Sequence, residues 1–399
     1  MAHQKAEKSI YIQSFPDSAH GRRIIESLST FAHGQTPSWR VSWGIEIPLN
    51  DLHRDVYTGI IFSKPLRSLS EQIKAIGIPA VQVGTSDVIG EFPAVLPDHH
   101  AIGEMAVGHY RERLFRNFAF VGNFSHPYSQ QRLRGVREVL TPSETFHGFD
   151  LAHPRNAVGQ DLGEWLQSLP RHTGMLAASD PTALELCNLC EELGLRIPGE
   201  RAVLGVDNDN LVCLTSPVPF SSIDPASEEV GLRAGEMLRD LMDGKPHRKQ
   251  VLWIPPVGVV LRASTDHLAT DDDKVAAAAR MMREEACAGL KVEEICRRVG
   301  LGRRMFELRF HRELGRTPEA EMRNIRMERA RFLLMTTNKS VQEIAEDSGF
   351  QDSYYFSAAF KKANGLSPRN WRERQRHQLS IGGFRPKSQA LTSFVAFGS

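Results

Sequence analysis

A duplicated pattern near the end of the chain is the feature that most constrains its fold. The first copy begins at Val292 with VEEICRRVGLGRRMFELRFHRELGRTP, and the second begins at Val341 with VQEIAEDSGFQDSYYFSAAFKKANGLSP. The copies are offset by 49 residues at their first glycine and by 50 at their paired phenylalanines, so the second turn contains one additional residue. Each copy predicts a short amphipathic helix, a tight turn and a second helix with an apolar stripe, which is a helix-turn-helix arrangement.

The duplicated region is also basic. Residues 274–376 contain 22 Lys and Arg against 14 Asp and Glu, whereas the whole 399-residue chain has a formal net charge of +1. A single copy would be as typical of a helical hairpin in an ordinary bundle as of a helix-turn-helix unit. Two copies within a positively charged segment favour a region that contacts nucleic acid.

The preceding part of the chain has a different rhythm, in which short β-rich runs alternate with amphipathic segments up to about Thr265. Many of the runs are continuous in apolar residues, as buried parallel strands require. The runs begin at Ser9, Trp39, Gly59, Pro79, Asn117, Thr173, Arg201 and Gln250. This pattern is too long for a single mononucleotide-binding unit, so it predicts two α/β lobes with a cleft between them.

These patterns predict the domain organisation. We expect an α/β domain over residues 1–265, a linker over 266–274 and an all-α domain over 275–376. A long helix, Glu319 to Thr337, should connect the two helix-turn-helix units. The tail over residues 377–399 contains Gly and Ser and is poorly periodic, so we expect it to fray.

Composition excludes several classes of protein. The five cysteines are widely spread and do not form a disulfide framework, and no apolar run reaches the length of a membrane span. The polar N-terminus has no signal-peptide pattern, so we expect a cytoplasmic protein without membrane contact. Cys187 and Cys190 form a C-x-x-C inside a helical pattern and are expected to be buried thiols. No catalytic motif is present, and we expect no enzymatic activity, no cofactor and no metal.

The second copy, with IAEDSGFQDSYYFSAAFKKANGLSPRNWR, resembles the signature of the AraC/XylS family of transcription regulators. This resemblance implies that the second helix of each copy enters the major groove of DNA. Residues that avoid the phenylalanine stripe are then the candidates for base contacts, and these are Arg303, Arg304, Glu307, Leu308, Ser353, Tyr354 and Ser357. The candidates for phosphate contacts are Lys361, Lys362 and Arg369.

The segment from Pro79 resembles the sugar-binding domain of LacI/GalR-type repressors and periplasmic sugar-binding proteins. The resemblance is carried by Asp98 with the helix HHAIGEMAVGHYRERLF, then by NFAFVGN, QQRLRGVREVL and IPGERAVLGVDND in this order. It implies a two-lobed periplasmic-binding-protein-like fold that binds a sugar. Arg132 resembles the sugar-contacting arginine of the repressors, and Asp207 resembles their ligand-contacting aspartate.

Ligands of open α/β sheets bind at the carboxyl ends of the strands. Applied to the expected strands, this rule adds Phe15, Asp17, Asp180 and Asp209 to the candidate ligand residues. Two alternatives stay open at this point. Asp98 and Asp180 also suit helix N-caps, and the candidate stacking rings of Phe15, Trp39, Trp43 and Phe220 also suit a core.

Together the two resemblances imply a sugar-responsive transcription regulator with a periplasmic-binding-protein-like sensor followed by two helix-turn-helix units. The implied partners are DNA, a sugar effector with D-xylose suspected, RNA polymerase and a second copy of the chain. A regulator responding to another monosaccharide is the first alternative. A sugar-metabolising enzyme with a DNA-binding tail and a DNA-architectural protein whose lobes bind a protein partner are the others.

Overall fold

A computed structural model describes residues 8–47, 53, 55–63, 67–84, 91–245 and 251–373. Within these residues the chain forms two α/β lobes followed by a helical region. The predicted fold class is confirmed. The expected tail over residues 377–399 lies outside the described residues.

The first lobe contains a parallel sheet of six strands in the spatial order β11-β5-β4-β3-β1-β2. Its strands are β1 (Ser9–Gln13), β2 (Arg40–Gly44), β3 (Gly59–Phe62), β4 (Ala80–Gln82), β5 (Ala94–Pro97) and β11 (Val251–Ile254). Its helices are α1 (Ala19–His33), α2 (Arg67–Ile76) and α8 (Ser227–Met242). The apolar faces of α1 and α8 pack on β1, β3 and β5 in one core.

The second lobe contains six strands in the order β12-β10-β9-β8-β6-β7, of which β12 is antiparallel to its neighbour. Its strands are β6 (Asn117–Gly122), β7 (Thr145–Asp150), β8 (Thr173–Ala177), β9 (Arg201–Val206), β10 (Ser221–Asp224) and β12 (Gly258–Val260). Its helices are α3 (His99–Arg111), α4 (Pro127–Val139), α5 (Leu162–Ser168), α6 (Asp180–Glu192) and α7 (Asn210–Thr215).

The chain passes between the lobes three times: after β5, between β10 and α8, and between β11 and β12. The crossing segments are hydrogen-bonded to one another. The Asp98 amide donates to the Ile254 carbonyl at 2.8 Å, and the Val257 amide donates to the Asp224 carbonyl at 2.9 Å. This arrangement joins the lobes through a compact hinge rather than through a single linker.

The helical region consists of α9 (Asp273–Glu285), α10 (Val292–Val299), α11 (Arg303–Leu314), α12 (Pro318–Thr336), α13 (Val341–Asp347) and α14 (Ser353–Asn364). The pairs α10/α11 and α13/α14 are the two helix-turn-helix units, and α12 connects them. The first helices begin 49 residues apart and the second helices 50 apart, which confirms the additional residue in the second turn. Helix α9 begins earlier than expected because the Asp272 carboxylate caps it, accepting from the Lys274 and Val275 amides.

The phenylalanine stripes are buried as predicted. Phe306 and Phe310 of α11 lie in a core with α9, α10 and the start of α12, whereas Phe356 and Phe360 of α14 lie in a separate core with the end of α12. All four rings have no exposed surface. Each helix-turn-helix unit therefore has its own core, and the connector helix contributes to both.

Several strand predictions need correction. The run beginning at Gln250, a residue outside the described part of the chain, contains two strands, β11 and β12, which lie in different lobes. Pro255 and Pro256 separate them because proline has no amide hydrogen to continue a ladder. The short strands β5, β7 and β10 are not among the runs identified from the sequence. Cys187 and Cys190 are buried in the core of the second lobe, which confirms their interpretation as interior thiols.

Candidate ligand cleft and candidate nucleic-acid interface

The carboxyl ends of strands from both lobes face each other, and two arginines of α1 bridge them. Arg22 donates to the Asp209 carboxylate at 2.6 Å. Arg23 donates to the Asp224 carboxylate at 3.0 Å and to the Asn208 carbonyl at 2.7 Å. We call the space between these strand ends the interlobe cleft. Sequence analysis missed both arginines, although basic residues in the first turns of a helix oppose its dipole and are a usable signal.

A buried arginine and an aspartate face each other on the second-lobe side of the cleft. Arg132 of α4 is 4% exposed, and its Nη2 lies 4.0 Å from Oδ1 of Asp207, the first residue after β9. Its Nη1 donates to the Ala178 carbonyl and its Nε donates to Nδ1 of His99 at 3.3 Å. The Tyr128 ring lies 5.1 Å from the guanidinium carbon. Two of the predicted ligand residues are thus brought together.

The backbone that carries Asp207 is strained. Asp207 has a φ of 117° and Asn208 a φ of 51°, a region that L-residues rarely adopt. The Asn208 amide is held by the Ser222 hydroxyl at 2.9 Å. Burial raises the pKa of Asp207 to about 7, and the nearby Arg132 guanidinium opposes this rise only in part. A hydroxyl donor in the cleft would therefore stabilise the ionised form of Asp207, which burial disfavours.

Asp180 lies beneath this surface. Its side chain has no exposed area, and its oxygens accept hydrogen bonds from the Ser222 hydroxyl at 2.6 Å and the Asp209 amide at 2.7 Å. The alternative role as an N-cap is wrong, because Ser179 caps α6. Asp98 does cap α3, accepting from the Ala101 amide. A direct sugar contact from Asp180 would require these internal bonds to break, so its position suits a support for the loop at Asp209.

The remaining first-lobe candidates lie at the end of β1. Phe15 is half-buried and Asp17 is exposed, whereas His20 of α1 lies nearer to Arg132. Burial and the charge of Arg132 lower the pKa of His20 to about 4, and its Nδ1 contacts the Ser227 hydroxyl at 2.7 Å. A neutral His20 is therefore an additional polar group of the cleft that sequence analysis did not identify.

The other candidate stacking rings differ in whether they are buried in a core or exposed. Trp39 and Phe220 are buried in the cores of the first and second lobe, respectively. Trp43 is exposed over half of its surface at the end of edge strand β2. Phe15 follows the carboxyl end of β1, is half-buried and belongs to neither core of the first lobe.

A cavity of about 310 Å³ lies at the carboxyl ends of β6 and β7 in the second lobe. Phe124, Asp150, His153 and Arg155 line it, together with Gly148, Asn156 and Ala157. None of the predicted ligand residues is among them. The cavity marks a depression within the second lobe, whereas the charged groups of both lobes converge at the interlobe cleft.

The first recognition helix, α11, presents three of its candidate base contacts to solvent, whereas Glu307 is only partly exposed. Arg304 is exposed and Leu308 is 65% exposed. Arg303 is also exposed, but its guanidinium forms ion pairs with Glu293, Glu307 and Glu319. These three carboxylates offset the charge of Arg303, so a base contact from Arg303 would require exposed ion pairs to open. Sequence spacing identifies the helix face correctly but does not reveal partners from neighbouring helices.

The second recognition helix, α14, has a different character. Tyr354 is 86% exposed, while Ser353 and Ser357 are partly exposed beside it. Lys361 and Lys362 are exposed in the last turn. Arg369, beyond the helix, is exposed and pairs with the Glu373 carboxylate at 3.2 Å. The candidate base contacts of this unit are hydroxyl and aromatic groups, and the candidate phosphate contacts carry the positive charge.

Comparisons with known proteins agree with this two-part organisation. Residues 107–265 match the family model of a periplasmic binding protein-like domain, and residues 295–374 match a helix-turn-helix domain. The xylose operon regulatory protein of Escherichia coli K12 is 28% identical over 371 residues, which cover 90% of this chain and 95% of that protein. The chain is similar to the xylose operon regulatory proteins over about nine tenths of its length.

Similar proteins occur in more than one organism. The xylose operon regulatory protein of Haemophilus influenzae is 29% identical over 374 residues, covering 89% of this chain and 96% of that protein. The solved structure described as that of the xylose-binding transcription activator xylR matches with a TM-score of 0.58 and 26% identity, covering 93% of this chain and 99% of that chain. In this chain the match to the periplasmic binding protein-like domain comes first and the match to the helix-turn-helix domain comes last. No helix among the described residues is long and apolar enough to cross a membrane.

Proposed function

We propose that the chain is a transcription regulator that binds D-xylose in the interlobe cleft and DNA through α11 and α14. Homology to the xylose operon regulatory proteins supports a sugar-responsive DNA-binding regulator. The observation that carries the proposal for the ligand is the pairing of Arg132 with Asp207 at the cleft. A guanidinium and a carboxylate together supply the donors and acceptors that several sugar hydroxyls require.

Individual roles follow from position. Asp207 accepts hydrogen bonds from sugar hydroxyls and Arg132 donates to them, while Phe15 covers the C–H face of the ring. Asp17 lies at the rim because it is exposed. Asp209 and its partner Arg22 join the two lobes. A sugar that contacts both lobes in the cleft favours the same closed arrangement.

Isothermal titration calorimetry with the full chain tests the ligand proposal. D-xylose should bind with 1:1 stoichiometry, and Asp207→Ala should weaken binding by about 2–4 kcal/mol because it leaves Arg132 and the sugar hydroxyls without an acceptor. Arg134→Ala, on the exposed face of the helix that carries Arg132, is the matched control and should leave the affinity unchanged. Failure of D-xylose and of other pentoses and hexoses to bind would refute the sugar proposal.

For DNA, we propose that Arg304 and Leu308 contact bases in one major-groove segment and that Ser353, Tyr354 and Ser357 contact bases in the next. Helix α12 has 19 residues and spans roughly 28 Å at 1.5 Å per residue, which approaches one turn of DNA. Lys361, Lys362 and Arg369 would hold the phosphates.

The domain boundaries proposed from the sequence place the sensor at residues 1–265 and the DNA-binding domain at residues 275–376. We propose that the chain acts as a cytoplasmic homodimer that contacts RNA polymerase at sugar catabolism genes. Analytical ultracentrifugation at micromolar concentration tests the dimer: a sedimentation coefficient that stays that of a single chain with and without DNA would refute it.

A further inference from the structure

Helix α3 extends from the interlobe cleft to the first helix-turn-helix unit. Its first residue, His99, is 5% exposed and accepts a hydrogen bond from Nε of Arg132. The helix has 13 residues, and its carboxyl end lies at the segment that leads into the DNA-binding domain. A straight helix of this length spans roughly 20 Å.

Helix α3 packs closely against α4, the helix that carries Arg132. A Cβ on Gly103 of α3 would lie 2.2 Å from the Arg132 carbonyl oxygen, and a Cβ on Gly135 of α4 would lie 2.1 Å from the His100 carbonyl oxygen. The two backbones are therefore in direct contact on both sides. Because closely packed interiors transmit displacements instead of absorbing them, a movement of Arg132 must carry α3 with it.

The carboxyl end of α3 holds the segment that enters the DNA-binding domain. Nε2 of His109 contacts the Thr265 hydroxyl at 2.9 Å, and Nε of Arg113 donates to the Thr265 carbonyl at 3.0 Å. The Ala269 amide donates to the Arg113 carbonyl at 2.8 Å. Between these contacts, Leu268 is buried in the core of the first helix-turn-helix unit. The linker is thus fixed to the second lobe rather than free.

Leu114 adds a direct apolar contact. It follows α3 in the second lobe, yet its side chain packs on the core formed by α9, α10 and α11. It adopts a φ of 67°, an unfavourable conformation for a leucine. The surrounding contacts maintain this strain, and the side chain reaches the neighbouring domain as a result.

We propose that α3 transmits occupancy of the interlobe cleft to the DNA-binding domain, with His99 as the positioning residue for Arg132 and Leu114 as the contact that receives the signal. The inference rests on the proposed function, since it takes a sugar as the ligand of Arg132. It assigns the coupling between sugar binding and DNA binding to α3 and to the contact that Leu114 makes with the core of the first helix-turn-helix unit.

The test measures a thermodynamic coupling factor, the ratio of DNA dissociation constants without and with saturating D-xylose. The probe is a duplex selected from a random library by the wild-type full chain in the presence of D-xylose. Fluorescence anisotropy gives the DNA affinity and calorimetry gives the sugar affinity. For an allosteric regulator this ratio is typically about 5–150.

Leu114→Asn is the decisive variant, because asparagine tolerates a positive φ while the substitution removes the apolar contact. It should bind D-xylose within about twofold of the wild-type affinity but reduce the coupling factor to about 1–2. Arg116→Ala, two residues away and exposed, is the matched control and should retain the wild-type factor. A wild-type coupling factor in Leu114→Asn, or a wild-type chain that binds D-xylose without any change in DNA affinity, would overturn the proposal.

His99 provides a second, independent measurement. His99→Ala should weaken both D-xylose binding and the coupling, whereas His99→Asn should restore them because its side-chain oxygen occupies the position of the Nδ1 acceptor. Equal defects in the two variants would contradict the positioning role. Absence of any D-xylose binding by the wild-type chain would instead indicate failure of the proposed function itself.

Discussion

Asp207→Asn should stabilise the unliganded chain at alkaline pH while weakening sugar binding. The pKa of Asp207 is raised from 3.8 to about 7 because burial removes water from its carboxylate. An acid with a higher pKa in the folded state holds its proton more tightly when folded. Its contribution to the free energy of unfolding is therefore fully present below pH 3.8 and is lost as the pH rises through 7.

The size of the effect follows from this difference in pKa. At 1.36 kcal/mol per pH unit, the change from 3.8 to about 7 corresponds to roughly 4 kcal/mol, with the attraction to Arg132 already included. Since 17% of the Asp207 side chain remains in contact with water, we expect about 2 kcal/mol at pH 8. At pH 4, where the carboxyl is protonated in the folded chain, the expected difference is close to zero.

Differential scanning calorimetry at both pH values gives the result directly. A gain of about 2 kcal/mol should raise Tm by roughly 4–8 °C at pH 8, with little change at pH 4. Asp209→Asn is the matched control, and it should lower Tm because it breaks the ion pair with Arg22 across the cleft. A lower Tm for Asp207→Asn at pH 8, or an equal rise at both pH values, would refute the reasoning.

Three further predictions concern the DNA-binding domain. Desolvation and the charge of Glu112 raise the pKa of Glu328 on α12 to about 8, so the free energy of unfolding of the wild-type chain should fall between pH 5 and pH 8. Glu328→Gln should flatten this pH dependence in urea titrations. Equal pH dependence in the variant and the wild-type chain would contradict this reasoning. Arg304→Ala should relax preference at one base position in a selection experiment, while Arg303→Ala, already neutralised by glutamates, should leave every position unchanged. Lys361→Ala should weaken binding to all sequences and reduce the slope of log affinity against log salt by about 1, and an unchanged slope would exclude a phosphate contact.

The architecture was largely predictable because its signals are local. Buried parallel strands are continuous apolar runs, and the duplicated helix pairs repeat both spacing and apolar faces. Of the missed strands, β5 is apolar but only four residues long, whereas β7 and β10 lack such a signal. Strand β7, with the sequence TFHGFD, lies at the edge of its sheet and is only partly buried, so no strong apolar pattern marks it.

The site was less predictable because its contacts join distant segments. Arg132 and Asp207 were identified through a resemblance, and the structure brings them together. Asp180 was placed at the correct strand end, but burial and the internal bonds to Ser222 could not be deduced from spacing. Arg303 shows the same limit, since two of its three carboxylate partners come from other helices.

The threefold passage of the chain between the lobes has a consequence for synthesis. Strand β5 pairs with β11, yet the two are separated by more than 150 residues that form the second lobe and α8. The sheet of the first lobe therefore cannot be completed on the ribosome until residue 254 has emerged, long after its first five strands. Until then the edge of β5 is unpaired, and nascent chains of this length present an aggregation-prone surface. Folding of the sensor is thus tied to the end of its own translation, just before the DNA-binding units are made.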